Sequence, residues 1–196
     1  MKLVCVLLLS IFPLIGLAAE RPVVNSQLQQ QAMGIVDRLI ETSFPELKGL
    51  KITPKGILNP QVFLATDIEI TSLFGGEREY VLYLNNQLIE KDIPSLALQG
   101  ILAHELAHFS DYEKMNTLEL AVFYARILMG GEYEANYERA TDLQAFERGF
   151  AIGIKVFRHW LYEQITPEAR IVKETNYYTP AQIDDWLLDQ EEVTLL

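Results

Sequence analysis

The segment HELAH at residues 104–108 constrains this chain more than any other part of its sequence. It lies in a predicted helix over residues 94–109, which is rich in apolar residues. Residues four apart in a helix differ by about 40° in direction and about 6 Å in height. His104 and His108 therefore share one face of this helix, and Glu105, rotated by about 100° from His104, lies beside that face.

The patterns around this segment predict an α+β fold, mostly helical, with a small sheet of two to four strands packed on the HELAH helix. Apolar residues recur at helical spacing over 25–42. The runs 62–71 and 80–84 are rich in β-branched and aromatic residues and predict strands, with Gly75-Gly76 as a turn between them. Helices are then expected over 117–129, over 132–165 and from Thr179, where Thr179-Pro180-Ala181-Gln182 is typical of a capping box with a first-turn proline.

The first 20 residues are typical of a secretory signal peptide. Lys2 precedes an apolar run, and small residues follow at positions 16–19. We therefore predict a signal peptide over 1–18, a single domain over 19–196, and export to the periplasm or out of the cell. The alternative is a retained membrane anchor. No later stretch is apolar enough to cross a membrane, so no span is expected after removal of the leader.

Composition excludes several classes of function. The chain has 27 acidic and 16 basic residues and a net charge of −11, so we expect no nucleic-acid partner. Its one cysteine, Cys5, lies inside the predicted leader, which excludes a disulfide or a thiolate nucleophile from the remaining chain. Metal ligands and catalytic groups must then come from His, Asp, Glu, Ser or Tyr.

Two imidazoles on adjacent turns can bind one metal ion, with Zn–N distances of about 2.0–2.1 Å. A carboxylate beside the metal can take a proton from the attacking water and pass it to a leaving amine. His104 and His108 are therefore predicted to bind one zinc ion per chain, and Glu105 is predicted to act as the general base of a hydrolase that cleaves peptides or proteins.

Zinc needs a third protein ligand, and the candidates lie in the predicted helix over 132–165. In a straight helix the remaining histidine, His159, is about 31 Å from Glu138, so both cannot reach the metal. Glu138 as ligand, with Asp142 one turn later orienting a ligand histidine, is one possible assignment. In the other assignment, Glu134 is the ligand and Glu138 supports it. The remaining interpretation is that these acidic residues bind no metal and form a solvated face of the helix.

The HELAH helix, the strand before it and the later sequence Glu138-Arg-Ala-Thr-Asp142 resemble a gluzincin zinc metallopeptidase. The pattern over residues 60–150 is similar to the CAAX-prenyl-protease and HtpX-like family and to its soluble relatives, the minigluzincins. The resemblance implies that His104, His108 and Glu138 bind zinc, that Glu105 is the general base and that Asp142 orients a ligand histidine. Thr141 stands where that family usually has alanine.

A peptidase of this kind also needs a hydrogen-bond donor for the oxyanion of the tetrahedral intermediate. We predict Tyr177 or Tyr178, since a loop residue can swing over the cleft; the other candidates are His159, Tyr162 and Arg139.

Three further features have two readings each. The strand over 80–84 is either the sheet edge that pairs with substrate or an ordinary buried strand. Gly100, one turn before His104, either leaves room in the metal cleft or allows close helix packing. The segment 184–196 either folds back into the cleft, which would make the protein latent, or is a frayed tail.

Two rival functions remain at this point. One is a catalytically silent or latent zinc-binding protein with the same fold. The other is an acidic helical protein in which HELAH binds no metal.

Overall fold

The computed structural model describes residues 22–57, 59, 61–69, 72 and 77–194, and the predicted signal peptide lies outside these ranges. The first helix, α1 (Ser26–Thr42), confirms the helix predicted over 25–42. The side chain of Asn25 caps it by accepting hydrogen bonds from the backbone N–H groups of Gln27 and Leu28. Its apolar face is buried, as the periodicity of the sequence predicts: Leu28, Ala32, Ile35, Val36 and Leu39.

A three-stranded mixed sheet follows, with the order β1-β3-β2. Its strands are β1 (Lys51–Gly56), β2 (Leu64–Ile68) and β3 (Glu79–Leu84). The predicted antiparallel pairing of β2 with β3 is confirmed, whereas β1, which pairs parallel to β3, was not predicted. Gly75-Gly76 lies outside the described residues. Because β3 is the central strand, the prediction that 80–84 forms a substrate-binding edge is wrong, and the edge beside the HELAH helix belongs to β2.

The remaining chain is helical, and its central helix is α3 (Ser95–Lys114), which contains HELAH and is buried on nearly all sides. Helix α3 contacts α1, α5, α6 and strand β2. The other helices are α2 (Gln87–Glu90), α4 (Thr117–Met129), α5 (Glu132–Glu147), α6 (Ala151–Gln164), α7 (Pro167–Asn176) and α8 (Pro180–Thr194).

The helix predicted over 132–165 is two helices, which corrects the sequence-based expectation. Gly149 interrupts it with a φ of +93°, a left-handed conformation that favours glycine, and α6 then returns along α3. Helix α7 was not predicted either. It begins after Thr166, whose side chain accepts a hydrogen bond from the backbone N–H of Ala169, with Pro167 in its first turn.

Helices α3 and α6 approach so closely that their contact requires glycine on both sides. A Cβ atom added to Gly100 would lie 2.2 Å from the carbonyl carbon of Gly153, and one added to Gly153 would lie 2.9 Å from the Cα of Gly100. Gly100 therefore allows the two helices to pack, and its other predicted role, leaving room in the metal cleft, is wrong.

We expect Gly100→Ala to lower the free energy of unfolding by about 1–3 kcal/mol, because the new methyl group meets backbone that cannot easily move. The matched control is Gly34→Ala in α1, where the nearest atom to an added Cβ is Nη1 of Arg38 at 4.0 Å. That control should raise the free energy of unfolding by about 0.5–1 kcal/mol through helix propensity. Urea denaturation measures both changes, and equal effects of the two substitutions would contradict the close packing.

The C-terminal segment forms α8 and packs on α6. Thr179 and Gln182 form the predicted capping box, with N–H to side-chain distances of 2.9 and 3.3 Å. Ile183 is fully buried, and Asp184 pairs with Lys155 of α6. As far as Thr194, the segment predicted over 184–196 is therefore neither a frayed tail nor a plug in the cleft, and residues 195–196 lie outside the described residues. Within the described ranges, no helix has both the length and the apolar content that crossing a membrane requires.

Candidate metal centre

Helices α3 and α5 bring His104, His108 and Glu138 together inside the protein. All three are buried, and one ligand atom from each lies within 4.8 Å of the others. The four-residue spacing on α3 places both imidazoles on one face, and α5 crosses that face at Glu138. These three side chains form a group that could hold a metal ion.

The two separations between Glu138 and the histidines match those around a tetrahedral zinc ion. Oε2 of Glu138 lies 3.2 Å from Nε2 of His104 and 3.5 Å from Nε2 of His108. Ligand atoms about 2.0–2.1 Å from a tetrahedral ion are about 3.3 Å apart. A His₂Glu set with a fourth position for water or substrate is a known catalytic zinc arrangement, so these residues fit that metal.

The outer nitrogen of each histidine has its own partner, which orients the ring. Nδ1 of His104 lies 2.8 Å from Oδ1 of Asp142, and Nδ1 of His108 lies 3.0 Å from the hydroxyl of Tyr137. Such partners fix the tautomer so that Nε2 would face a bound metal ion. Thr141 fits this arrangement, since its hydroxyl donates to the carbonyl of Tyr137 and lies 3.5 Å from Nδ1 of His108.

The cationic partner of Asp142, Arg158, was not predicted from the sequence. Arg158 of α6 is 1% exposed, and its Nη2 donates to both oxygens of Asp142, at 3.1 and 3.3 Å. The backbone N–H of Tyr178 donates to Asp142 as well. No local pattern indicated this arginine, because the bend at Gly149 brings α6 back toward α5.

Electrostatics favour positive charge at the centre of the group. Burial lowers the pKa of His104, but Asp142 and Glu138 outweigh this effect and raise that pKa to about 9. Burial raises the pKa of Glu138, but His108 and His104 hold it below its ordinary value. The pKa of Asp142 is likewise lowered, against its burial, by Arg158 and His104. A divalent cation can supply the same positive charge.

The group and Glu105 line a small cavity of about 60 Å³, with walls from α3, α5, α6, α7 and residues 61–66. Glu105 is buried and lines this cavity, outside the three-ligand group. In the part of the chain that the structure describes, its carboxylate has no recorded hydrogen bond or ion pair. Glu134 is also buried but belongs neither to the group nor to the cavity wall.

The predicted oxyanion donors lie in different places. Tyr177 lines the cavity, and its ring centre is 5.8 Å from that of His104. The ring of Tyr178 lies instead against Phe146, 5.5 Å away. Three others do not line the cavity: His159, Tyr162 and Arg139. His159 is exposed on α6, so it remains separated from the metal-binding group although the predicted long helix is broken.

A cavity residue that the sequence did not indicate is Lys173 of α7, which lies one helical turn before Tyr177, the residue that follows this helix. The only feature of the sequence that could have indicated Lys173 is its four-residue spacing from Tyr177. Such a spacing implies that two residues are close only in a helix, and α7 was not predicted.

Comparisons of the chain with protein-family models, with curated proteins and with solved structures found no match.

Proposed function

We propose that this protein is an exported zinc metallopeptidase of the gluzincin type, similar to the CAAX-prenyl-protease and HtpX-like family and to the minigluzincins. The observation that carries this proposal is the buried group of His104, His108 and Glu138 with Glu105 beside it. Export rests on the sequence of the leader alone.

The chemistry divides between the metal and the side chains around it. A zinc ion held by His104, His108 and Glu138 would polarise a peptide carbonyl and lower the pKa of water in the fourth position. The carboxylate of Glu105 then accepts the proton of the attacking water and delivers it to the leaving nitrogen. Asp142 and Arg158 hold the ring of His104 in the orientation that ligation needs.

A substrate must be held in an extended conformation beside these groups. Residues 64–66 of β2 line the cavity, and β2 is an edge strand, so a peptide can pair with it in the manner of an added strand. Tyr177 is the donor we propose for the oxyanion, because its ring lies against His104 on the cavity wall.

The size of the cavity favours a second candidate function. Its volume of about 60 Å³ is far below the roughly 300–1,000 Å³ of ordinary ligand pockets. A peptide can enter only if side chains that line the cavity, Lys173 and Tyr177 among them, move aside. If they do not move, the protein is a catalytically silent or latent zinc-binding protein with the same fold.

Metal analysis combined with a hydrolysis assay tests the proposal. We expect one zinc ion per chain after dialysis and cleavage of an unstructured protein such as casein. A chelator should abolish this cleavage, and added zinc should restore it. Bound zinc without cleavage of any member of a broad peptide library would favour the silent protein. Failure to bind zinc when it is supplied would refute both candidates.

The two candidate third ligands can be separated by matched substitutions. Glu138→Ala should weaken zinc binding by at least about a hundredfold, since it removes a ligand, which costs more than losing an outer partner. Glu134→Ala, one turn away on the same helix, should leave zinc affinity within a few-fold of wild type because Glu134 lies outside the group. Competition with a chromogenic chelator measures both affinities. Equal losses would contradict the assignment of Glu138.

A further inference from the structure

The cavity contains a lysine that the proposed peptide chemistry does not use. Lys173 lines the same wall as Tyr177, and its Nζ lies over the Tyr177 ring, 4.9 Å from the ring centre. Tyr177 directly follows α7, and its backbone N–H donates a hydrogen bond to the carbonyl of Lys173, which places the two residues one turn apart at the end of the helix. Burial lowers the pKa of Lys173 from its ordinary value. Lys173 is half-buried, and its ammonium group is thus held at the wall of the metal-binding cavity.

Lys173 also lacks a direct carboxylate partner in the described part of the chain. Four other lysines have such a partner, Lys51 with Glu79, Lys55 with Glu69, Lys114 with Asp111 and Lys155 with Asp184, whereas Lys91, like Lys173, lies over an aromatic ring. Glu138, Glu134 and Glu105 act on Lys173 electrostatically without a recorded ion pair. A partly buried cation without a close counter-ion is costly, and an anion beside it would remove that cost.

The second cation that lines the cavity, Arg158, does have a carboxylate partner. The guanidinium of Arg158 lies 4.4 Å from the centre of the same Tyr177 ring, but it already binds Asp142. Glu138, the first of the carboxylates acting on Lys173, is a proposed metal ligand, so its charge is shared with the metal once that is bound. Lys173 is therefore the cavity cation left available for a bound molecule.

We infer that Lys173 forms an anion subsite beside the metal-binding group and that this subsite takes a carboxylate of the peptide substrate. This inference rests on the proposed function and narrows it to a substrate class. The carboxylate has two possible sources. A C-terminal carboxylate makes the protein a carboxypeptidase, whereas the side chain of Asp or Glu makes it selective for acidic residues near the cleaved bond.

The test is a binding measurement on the full zinc-loaded protein carrying Glu105→Gln, in which bound peptide is not cleaved. Three probes are titrated calorimetrically: N-acetyl-trialanine as free acid, the same peptide as amide, and an amide whose last alanine is replaced by aspartate. We expect the free acid, the aspartate peptide or both to bind at least about tenfold more tightly than the plain amide. Preference for the free acid alone identifies the C-terminal source.

Three variants test whether Lys173 causes the preference for peptides that carry a carboxylate. Lys173→Met, which keeps the unbranched side chain as far as Cε but removes the ammonium group, should abolish the preference, and Lys173→Arg should retain most of it. Lys48→Met, at an exposed lysine in another part of the fold, should change nothing.

Equal binding of all three probes, undetectable binding at millimolar concentration, or equal weakening of every probe by Lys173→Met would overturn the subsite. The last result would be expected if Lys173 acted only on the oxyanion or on the fold. Zinc content and hydrolysis are measured beforehand on the parent protein. Failure to bind zinc refutes the proposed function and the inference together, whereas zinc-dependent hydrolysis without the carboxylate preference refutes the inference alone.

Discussion

Glu105→Gln is expected to lower the rate of peptide hydrolysis by about 10²–10⁴-fold and to leave zinc bound. The amide is nearly isosteric with the carboxylate, so the cavity keeps its shape, but it cannot accept the proton of the attacking water. Zinc remains because Glu105 is not one of the three residues in the metal-binding group. Zinc content and the initial rate of hydrolysis, measured on the same sample, check both halves of this prediction.

The matched control is Glu163→Gln, which removes the same charge from an exposed position on α6. It should leave both zinc content and rate close to wild type. Hydrolysis that survives Glu105→Gln at more than about a tenth of the wild-type rate would remove the general base from the mechanism. Loss of zinc together with activity would mean instead that Glu105 supports metal binding.

Arg158→Met is expected to lower the free energy of unfolding by about 3–5 kcal/mol in the metal-free protein. Methionine fills much of the volume of arginine but removes one of the two cationic partners of Asp142, which is fully buried, and leaves it only His104. The cost comes from burying a carboxylate whose charge is then less well compensated. Because Asp142 also contacts His104, zinc affinity should fall as well, by about 10–100-fold.

Two comparisons separate this effect from a simple loss of packing. Arg170→Met breaks an exposed pair with Glu174 on α7 and should cost no more than about 0.5 kcal/mol. Adding Asp142→Asn to Arg158→Met removes the buried charge and should restore part of the lost stability. Urea denaturation provides all of these values. If the double variant is no more stable than Arg158→Met alone, the cost comes from packing and not from the buried carboxylate.

Local features of the fold could be predicted because they depend on neighbours within a few residues. The buried apolar face of α1, the pairing of β2 with β3 and the capping box at Thr179 follow from the spacing of apolar residues and from the residues typical of turns and helix caps. Strand β1 was not predicted because it contains Pro54, Lys51 and Lys55, and proline and lysine are uncommon in strands. Its position is set by its pairing with β3. The break at Gly149 was missed because the helical pattern continues on both sides of it.

Part of the metal-binding group could likewise be predicted from local spacing, and part of it could not. The sequence by itself determined that His104 and His108 lie on one helix face with Glu105 beside it, because helix geometry alone relates residues four and one apart. For the third ligand it offered Glu138 or Glu134, both on the same later helix, beside the alternative of a solvated acidic face. Only the tertiary structure placed Glu138 at the imidazoles, because the way in which α5 crosses α3 depends on packing across the whole core.

The remaining site residues were decided entirely by tertiary structure. Arg158 reaches Asp142 because the left-handed Gly149 turns α6 back, and Gly100 with Gly153 lets α6 approach α3 closely. Lys173 and Tyr177 reach the cavity because α7 packs on α5. Such contacts join residues far apart in the chain, and no periodicity records them, since each depends on how whole helices dock. The sequence therefore specified the chemistry of the residues that could hold a metal ion, and helix packing decided which charges surround them.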